Sequence, residues 1–348
     1  MKAVIIKKMT DSGERLSYFC LKTEEAPGKF DVNELAVTGD GDALAISKVE
    51  VVDDHVHLYF NEEKHDLHTF RFNVEKFLNE FCPMDFEIVY RGVKADVEVQ
   101  DLPWVADFAD ETFTPEESEA LKYRLYDSGS KEKRPLVIFI HGTGERGVDN
   151  LLPMMANDCV PTIYEYAKEV EDALILVPQA PWDLQIGAWS FPQIRVSLEN
   201  LVKEIIAEYP VDQKRVYVSG LSNGASATWN LLKYMPEYFA AGVPICGYMP
   251  AENPLPRDLS KAPFYGAPVA EDVAKIKDIP VWVFHAEDDP LVAAKAAKEL
   301  VDALQEAGNP DARYTEYPAG EVTPNPHASW EPAYNDGELL PWLFSKRK

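Results

Sequence analysis

The feature that most limits how this chain can fold is a change of periodicity about one third of the way along it. After Leu121, short apolar runs alternate with longer segments that have helical spacing. The runs cover residues 135–140, 173–177, 215–219 and 280–284, and the helical segments cover 194–209 and 291–307. Continuous apolar runs predict strands buried on both faces, and their alternation with helices predicts an α/β domain with a mostly parallel sheet.

The residues before this change have a different pattern. Short alternating or aromatic runs are separated by turn residues such as Asp40-Gly41-Asp42, and they cover residues 55–60, 69–74, 86–90 and 94–99. This pattern predicts a small antiparallel β-sandwich. An acidic stretch without periodicity lies around residues 107–117, as expected of a connection between domains. We therefore predict an all-β domain at 1–115 and an α/β domain at 116–348.

The charge of the chain bears on its partners. Its 348 residues include 59 acidic and 34 basic side chains, which gives a formal net charge of −25 at pH 7. A surface this negative repels phosphate backbones and anionic headgroups, so we expect neither a nucleic acid nor a membrane as partner. The first residues resemble no secretory signal and no apolar run is long enough to span a bilayer. We therefore expect a cytoplasmic protein that acts on a small molecule.

No residue pattern in the chain indicates a metal site or a cofactor site. The four cysteines are far apart and form no C-x-x-C pair, so we expect reduced thiols. The histidines of the first half lie on segments of different phase, which disfavours a ligand cluster; they are His55, His57, His65 and His68. We expect a protein that needs no cofactor.

The most informative motif is G-x-S-x-G at Gly220–Gly224, with Ser222 at its centre. A buried strand runs directly into it and a helical pattern follows, which is the context of a nucleophile elbow. Glycine on both sides of the serine permits a turn that is too tight for side chains. We therefore predict that Ser222 is a catalytic nucleophile.

A serine hydroxyl needs a base, which in turn needs an acid to orient it. In folds with this elbow both partners follow the nucleophile along the chain, which excludes His141. His285 has no comparable strand-end acid between itself and Ser222, so we select His327 as the base. For the acid we select Asp289, with Asp288 as the second choice. We expect the unused acids of the 287–289 trio to cap the following helix.

The tetrahedral intermediate of acyl transfer also needs hydrogen-bond donors. The glycine-rich segment at 141–147 follows the first core strand, so we predict an oxyanion hole made by the main-chain N–H groups of Thr143 and Asn223. We expect Glu145 and Arg146 to brace this loop. Candidate substrate-binding residues follow strands near the site; they are Trp182, Trp189 and His141.

Together these segments resemble the α/β-hydrolase superfamily. The resemblance covers about residues 121–345 and is carried by HGTGERG at 141–147, VPQAP at 177–181, GLSNG at 220–224, the acid turn at 285–292 and HASWEPAY at 327–334. It is closest to the dienelactone-hydrolase-like esterases, which are also described as predicted peptidases or carboxylesterases. The resemblance implies the same triad of Ser222, Asp289 and His327, and it implies no cofactor.

Some members of that group carry an immunoglobulin-like domain before the hydrolase domain, and residues 1–115 are similar to it in strand pattern and position. In such relatives this domain is linked to oligomer assembly, which implies a possible homo-oligomer here. The leading interpretation is a serine carboxylesterase that forms an acyl-enzyme. The alternatives are a serine peptidase of the same fold, a feruloyl or acetyl carbohydrate esterase, and a catalytically silent binding module.

Overall fold

The chain forms two compact units, each with its own hydrophobic core. The computed structural model describes residues 1–23, 27–116, 118–181, 188–252 and 258–348. One unit comprises Met1–Asn73 with Asn79–Asp107, and the other comprises Val74–Leu78 with Phe108–Lys348. In the described residues, no helix has both the length and the apolar character that crossing a membrane requires.

The first unit is all-β. Its strands are β1 (Lys2–Thr10), β2 (Gly13–Lys22), β3 (Leu35–Gly39), β4 (Asp42–Ala43), β5 (Ile46–Val52), β6 (His55–Phe60), β7 (Phe70–Asn73), β8 (Leu78–Phe81), β9 (Phe86–Tyr90), β10 (Val93–Lys94) and β11 (Asp96–Gln100). One sheet has the order β11-β1-β2-β6-β5, a second has the order β10-β9-β3-β4, and β7 pairs with β8. In the two larger sheets, neighbouring strands are antiparallel except β1 and β11, which are parallel. Side chains from both larger sheets share one core, including Phe19 and Leu58 from the first and Ile88 from the second.

The second unit is built on an eight-stranded sheet of order β12-β13-β15-β14-β16-β17-β18-β19. Its strands are β12 (Phe108–Phe113), β13 (Leu121–Tyr126), β14 (Arg134–Ile140), β15 (Leu174–Gln179), β16 (Val211–Leu221), β17 (Ala241–Ile245), β18 (Val281–Ala286) and β19 (Ala312–Tyr317). The strands from β14 to β19 are parallel, and β12 and β13 are antiparallel additions at one edge. The predicted α/β domain, preceded by an all-β domain, is confirmed.

Helices connect the strands of this sheet. They are α1 (Leu152–Met155), α2 (Cys159–Glu169), α3 (Pro192–Glu208), α4 (Asn223–Tyr234), α5 (Ala270–Ile276), α6 (Ala294–Glu306), α7 (Trp330–Asn335) and α8 (Leu339–Ser345). Every residue of β14, β15, β17 and β18 is buried, which explains their unbroken apolar runs. Helix α3 begins at Pro192, whose fixed φ suits the first helical position.

Strand β12 lies within the first domain as predicted from the sequence, but its pairing places it in the second unit. It pairs with β13 along its length, from Phe108 opposite Tyr126 to Phe113 opposite Leu121. The first unit therefore ends at Asp107, several residues before the predicted boundary at 115/116. The sequence pattern did not indicate β12 as a strand. Its four central residues are exposed at the edge of the sheet, so they include acidic side chains and show no apolar alternation.

Helix α4 lies unusually close to the end of strand β14. A Cβ on Gly224, in the first turn of α4, would lie 2.0 Å from the carbonyl oxygen of Ile140 and 2.6 Å from that of His141. Only glycine permits this approach, because no L side chain fits within such distances. The start of α4 is thereby held against the carboxyl end of the central strand.

A buried histidine joins the loops that follow β14 and β15. His141 is fully buried; its Nδ1 lies 2.5 Å from the Gly142 carbonyl oxygen, and its Nε2 accepts a hydrogen bond of 3.0 Å from the Ala180 main-chain N–H. The second bond requires an unprotonated Nε2, so the proton is on Nδ1 and the ring is neutral. Burial lowers the pKa of His141 from its ordinary value of 6.5 to about 4.

Substitution of Gly224 by alanine tests the close approach of α4. We expect Gly224→Ala to lower the free energy of unfolding by about 3 kcal/mol or to prevent folding, because the added methyl group meets main-chain atoms that cannot move aside. Urea denaturation measures the loss. Gly28→Ala is the matched control, because a Cβ at Gly28 has no neighbour within 4 Å. Equal stability of the two variants would contradict the packing described.

Protonation of His141 predicts a pH dependence of stability. The unfolded chain binds a proton at this residue near pH 6.5 and the folded chain only near pH 4, so the contribution is complete above pH 6.5 and is lost as the pH falls toward 4. We expect a loss of up to about 3 kcal/mol across this window. Urea denaturation between pH 7 and pH 4 measures the slope. The slope should become shallower in His141→Gln, and an unchanged slope would assign the effect to other groups.

Candidate active site

Ser222 lies on a strained turn between the last residue of β16 and the first residue of α4. Its main chain has φ +53° and ψ −115°, a conformation that residues other than glycine rarely adopt. A Cβ on Gly220 would lie 2.5 Å from the Gly224 carbonyl oxygen, so the turn has no room for a side chain there. The turn raises Ser222 above the end of the sheet, where it is partly exposed.

The structure brings Ser222, His327 and Asp289 into one chain of hydrogen bonds. His327 Nε2 lies 2.8 Å from Ser222 Oγ, and His327 Nδ1 lies 2.7 Å from Asp289 Oδ2. The carboxylate accepts from Nδ1, so that nitrogen carries the proton and Nε2 is free to accept the serine proton. The three residues come from the ends of β16 and β18 and from the loop between β19 and α7.

The loop that carries His327 is held by its own contacts. The main-chain N–H of His327 donates to Asn325 Oδ1 at 3.2 Å, and the Ala328 N–H donates to the Asn325 carbonyl oxygen at 2.9 Å. The ring of Trp330 meets the imidazole edge to face, with ring centroids 5.7 Å apart. These contacts orient the imidazole, which is nearly buried although it lies on a loop.

The carboxylate of Asp289 accepts hydrogen bonds on both oxygens. Its Oδ1 accepts from the main-chain N–H groups of Leu291 at 2.8 Å and Val292 at 3.1 Å. Its Oδ2 accepts from His327 and also lies 3.0 Å from His285 Nε2. Burial by itself raises the pKa of Asp289, but the hydrogen bonds from His285 and His327 outweigh it and hold the pKa well below its usual range. Asp289 is therefore ionised across the whole working pH range.

The other two acids of the trio face a different way. Asp288 Oδ2 accepts from the Gly320 N–H at 2.9 Å, and Glu287 Oε2 accepts from the Ala319 N–H at 3.2 Å. Asp289, not Asp288, is the residue that meets His327. The expectation that the unused acids cap the next helix was wrong, because they bind the loop after β19. That helix, α6, begins at Ala294 rather than at Leu291, and the N–H groups of Leu291 and Val292 donate to Asp289 Oδ1.

The two residues predicted to supply the oxyanion donors each directly follow a residue at the elbow or beside it. A Cβ on Gly142, the residue before Thr143, would lie 3.5 Å from Ser222 Cβ, so the loop after β14 touches the elbow. Asn223 is the first residue of α4, where main-chain N–H groups have no partner within the helix. The Asn223 side chain turns away, accepting from the Trp189 N–H at 3.2 Å. Arg146 braces the same loop, since its Nε donates to the Thr143 carbonyl oxygen at 2.9 Å.

The structure describes two of the three residues predicted to bind substrate. Trp182 lies outside the described residues. Trp189 is fully buried, and its Nε1–H donates to the His141 carbonyl oxygen at 3.1 Å. Both ring nitrogens of His141 contact main-chain groups. Trp189 and His141 are therefore parts of the core beneath the site, and the prediction that they line a substrate pocket does not fit their positions.

His285 is the residue near the site whose position sequence reasoning missed. The structure places its Nε2 3.0 Å from Asp289 Oδ2, the oxygen that also meets His327 Nδ1. A signal was present in the chain, because His285 ends a buried strand and stands four residues before Asp289. That spacing across a tight turn brings the two side chains together.

Comparisons with known proteins agree with this fold. No family model matches the chain. A solved structure described as a thermostable esterase is similar over 100% of both chains, with 28% sequence identity and a TM-score of 0.80. Acyl-protein thioesterase 1 of Debaryomyces hansenii is 21% identical over 221 residues, which cover 54% of this chain and 84% of that protein.

A further relative is an uncharacterized secreted protein of Arthroderma benhamiae, 26% identical over 209 residues. The match covers 53% of this chain and 21% of that protein, so the chain spans only about a fifth of that relative's length. The parallel sheet, the strand–turn–helix at Ser222 and the full-length similarity to an esterase structure agree on one fold. The second unit has an α/β-hydrolase fold.

Proposed function

We propose that this protein is a serine carboxylesterase that hydrolyses small-molecule esters through an acyl-enzyme on Ser222. The observation that carries the proposal is the unbroken chain of hydrogen bonds from Ser222 Oγ through His327 to Asp289, at 2.8 and 2.7 Å. The full-length similarity to an esterase structure supports ester bonds as the target. Both partners of the triad are nearly buried, as a base that must retain its orientation requires.

Acylation begins at the serine hydroxyl. His327 Nε2 accepts the proton of Ser222 Oγ as the oxygen attacks the ester carbonyl carbon, and the carbonyl electron pair moves onto its oxygen. The ionised Asp289 stabilises the imidazolium that forms. The tetrahedral intermediate then collapses, and the C–O bond to the alcohol breaks as the imidazolium returns its proton to the leaving oxygen.

The oxyanion is proposed to bind the main-chain N–H groups of Thr143 and Asn223. Gly142 lies against Ser222 and Arg146 holds the Thr143 carbonyl oxygen, so this loop is fixed before substrate arrives. Donors that are already in place cost no reorganisation in the transition state. Water activated by His327 then attacks the acyl group, and the same steps in reverse order release the acid and restore Ser222.

Three finer points are proposals as well. The first unit, with two sheets around one core, is proposed to be an immunoglobulin-like domain. A homo-oligomer formed through that domain and a cytoplasmic location are the remaining two. The proposed mechanism depends on none of the three.

Substitution of the nucleophile tests the proposal most directly. We expect Ser222→Ala to lower kcat for a short-chain p-nitrophenyl ester by at least about 10⁴-fold and to abolish labelling by an organophosphonate, because no other group supplies the attacking oxygen. Ser226→Ala, one turn further along α4, is the control and should retain labelling. Labelling that survives in Ser222→Ala would contradict the assignment. Faster cleavage of a matched amide than of the ester would favour a peptidase.

Substitution of the neighbouring residues Asp289 and Asp288 tests which carboxylate is the acid of the triad. We expect Asp289→Asn to lower kcat by about 10²- to 10⁴-fold, because an amide no longer holds His327 in the required tautomer or stabilises its cation. Asp288→Asn should keep kcat within about threefold of the unmodified protein, because the Asp288 side chain accepts from the Gly320 N–H rather than from His327. Steady-state kinetics with one ester compares them. A larger loss in Asp288→Asn than in Asp289→Asn would overturn the assignment of the acid.

A further inference from the structure

The carboxylate of Asp289 binds two histidines rather than one. His285 Nε2 and His327 Nδ1 lie 3.0 and 2.7 Å from the same oxygen, Oδ2. His285 is fully buried, and its Nε2 also lies 3.0 Å from the Val292 carbonyl oxygen. Both neighbours of this nitrogen are acceptors, so Nε2 carries the proton and shares it between them.

The protonation state of His285 follows from its other nitrogen. Among the described residues, Nδ1 of His285 is buried and has no hydrogen-bond partner. A proton there would be a buried donor without an acceptor, which is costly. His285 is therefore a neutral imidazole, protonated on Nε2 alone. It gives Asp289 a hydrogen bond without adding a second positive charge that would oppose the imidazolium of His327.

The remaining groups around Asp289 add no positive charge either. The Cys246 thiol, at the end of β17, is buried and its pKa is raised well above its ordinary value, so it is neutral. Asp288 and Glu287, on the same turn, bind the loop after β19. The ionised Asp289 thus lies among neutral donors, and His327 is the group on which positive charge develops.

We propose that His285 is a positioning residue of the triad. Its hydrogen bond fixes the orientation of the Asp289 carboxylate and weakens the attraction between that carboxylate and the His327 cation. This inference rests on the proposed function. Two main-chain N–H groups donate to Oδ1, and without His285 the partner of Oδ2 among the described residues would be His327. The His285 bond limits rotation of the carboxylate and draws charge from the oxygen that faces His327. Asp289 therefore holds the His327 cation less strongly in the free enzyme, and the imidazolium forms only when Ser222 gives up its proton during attack.

The test compares three substitutions at His285. Phenylalanine keeps a ring but has no donor; glutamine places an amide N–H near the position of Nε2; asparagine places it near that of Nδ1. We expect His285→Phe to lower kcat about tenfold or more with little change in KM. The acidic limb of the kcat/KM profile should move about half a pH unit upward, because Oδ2 then holds the His327 cation more strongly. His285→Gln should restore both values.

Asparagine is the matched control for glutamine, since both bury an amide and only the longer side chain reaches Asp289. His285→Asn should therefore behave like His285→Phe, and this pair decides the question if the phenylalanine variant fails to fold. Thermal unfolding of each variant separates loss of stability from loss of rate. Identical pH profiles in the glutamine and asparagine variants would overturn the proposal and leave His285 as a structural residue.

A second measurement does not depend on ester hydrolysis. The proton between His327 Nδ1 and Asp289 gives a far-downfield NMR resonance, which is assigned by its loss in His327→Gln. We expect this resonance to move further downfield in His285→Asn and not in His285→Gln. If the unmodified protein cleaves no ester, the proposed function fails while this resonance still tests His285. An unmoved resonance in His285→Asn would overturn the role of His285 alone.

Discussion

The buried carboxylate of Asp289 is the interaction on which the arrangement of the site depends. An ionised group with so little exposure is stable only if it is fully hydrogen-bonded, and Asp289 has two main-chain N–H groups and two imidazoles around it. These partners come from the turn after β18, from β18 itself and from the loop after β19. The hydrogen bonds that stabilise this one charge therefore set the shape of the turn after β18 and fix the position of His327.

The position of the serine hydroxyl depends on main-chain packing instead. Gly224 lets α4 touch the end of β14, and Gly220 lets the chain turn from β16 into α4 without a side chain in the way. Ser222 is the one residue between β16 and α4, and it has a strained conformation that the surrounding sheet maintains. The loop after β14 contacts the same turn, so nucleophile and proposed oxyanion donors are positioned by one set of main-chain contacts.

Two buried histidines, His141 and His285, form hydrogen bonds to the groups around this site. His141 has its ring nitrogens at the main chain of the loops after β14 and β15, and His285 has a single donor nitrogen directed at Asp289 and Val292. Burial lowers the pKa of His141. In a strongly acidic protein, these two imidazoles thus serve as hydrogen-bonding groups of fixed tautomer, and His327 is left to carry the proton.

Local pattern was enough to predict several features of this protein. The alternation of doubly buried strands with helices gave the α/β class, and the strand running into Gly220–Gly224 identified the elbow, because both depend on residues adjacent in the chain. Chain order selected His327. The edge strand Phe108–Phe113 was missed, since its exposed acidic residues resemble a linker. Tertiary structure alone decided that Asp289 rather than Asp288 meets His327, that His285 binds the same oxygen, and that His141 and Trp189 are core residues. The reason is that a side chain's direction at the end of a strand depends on the loops it packs against, which are distant in sequence and have no periodicity to reveal them.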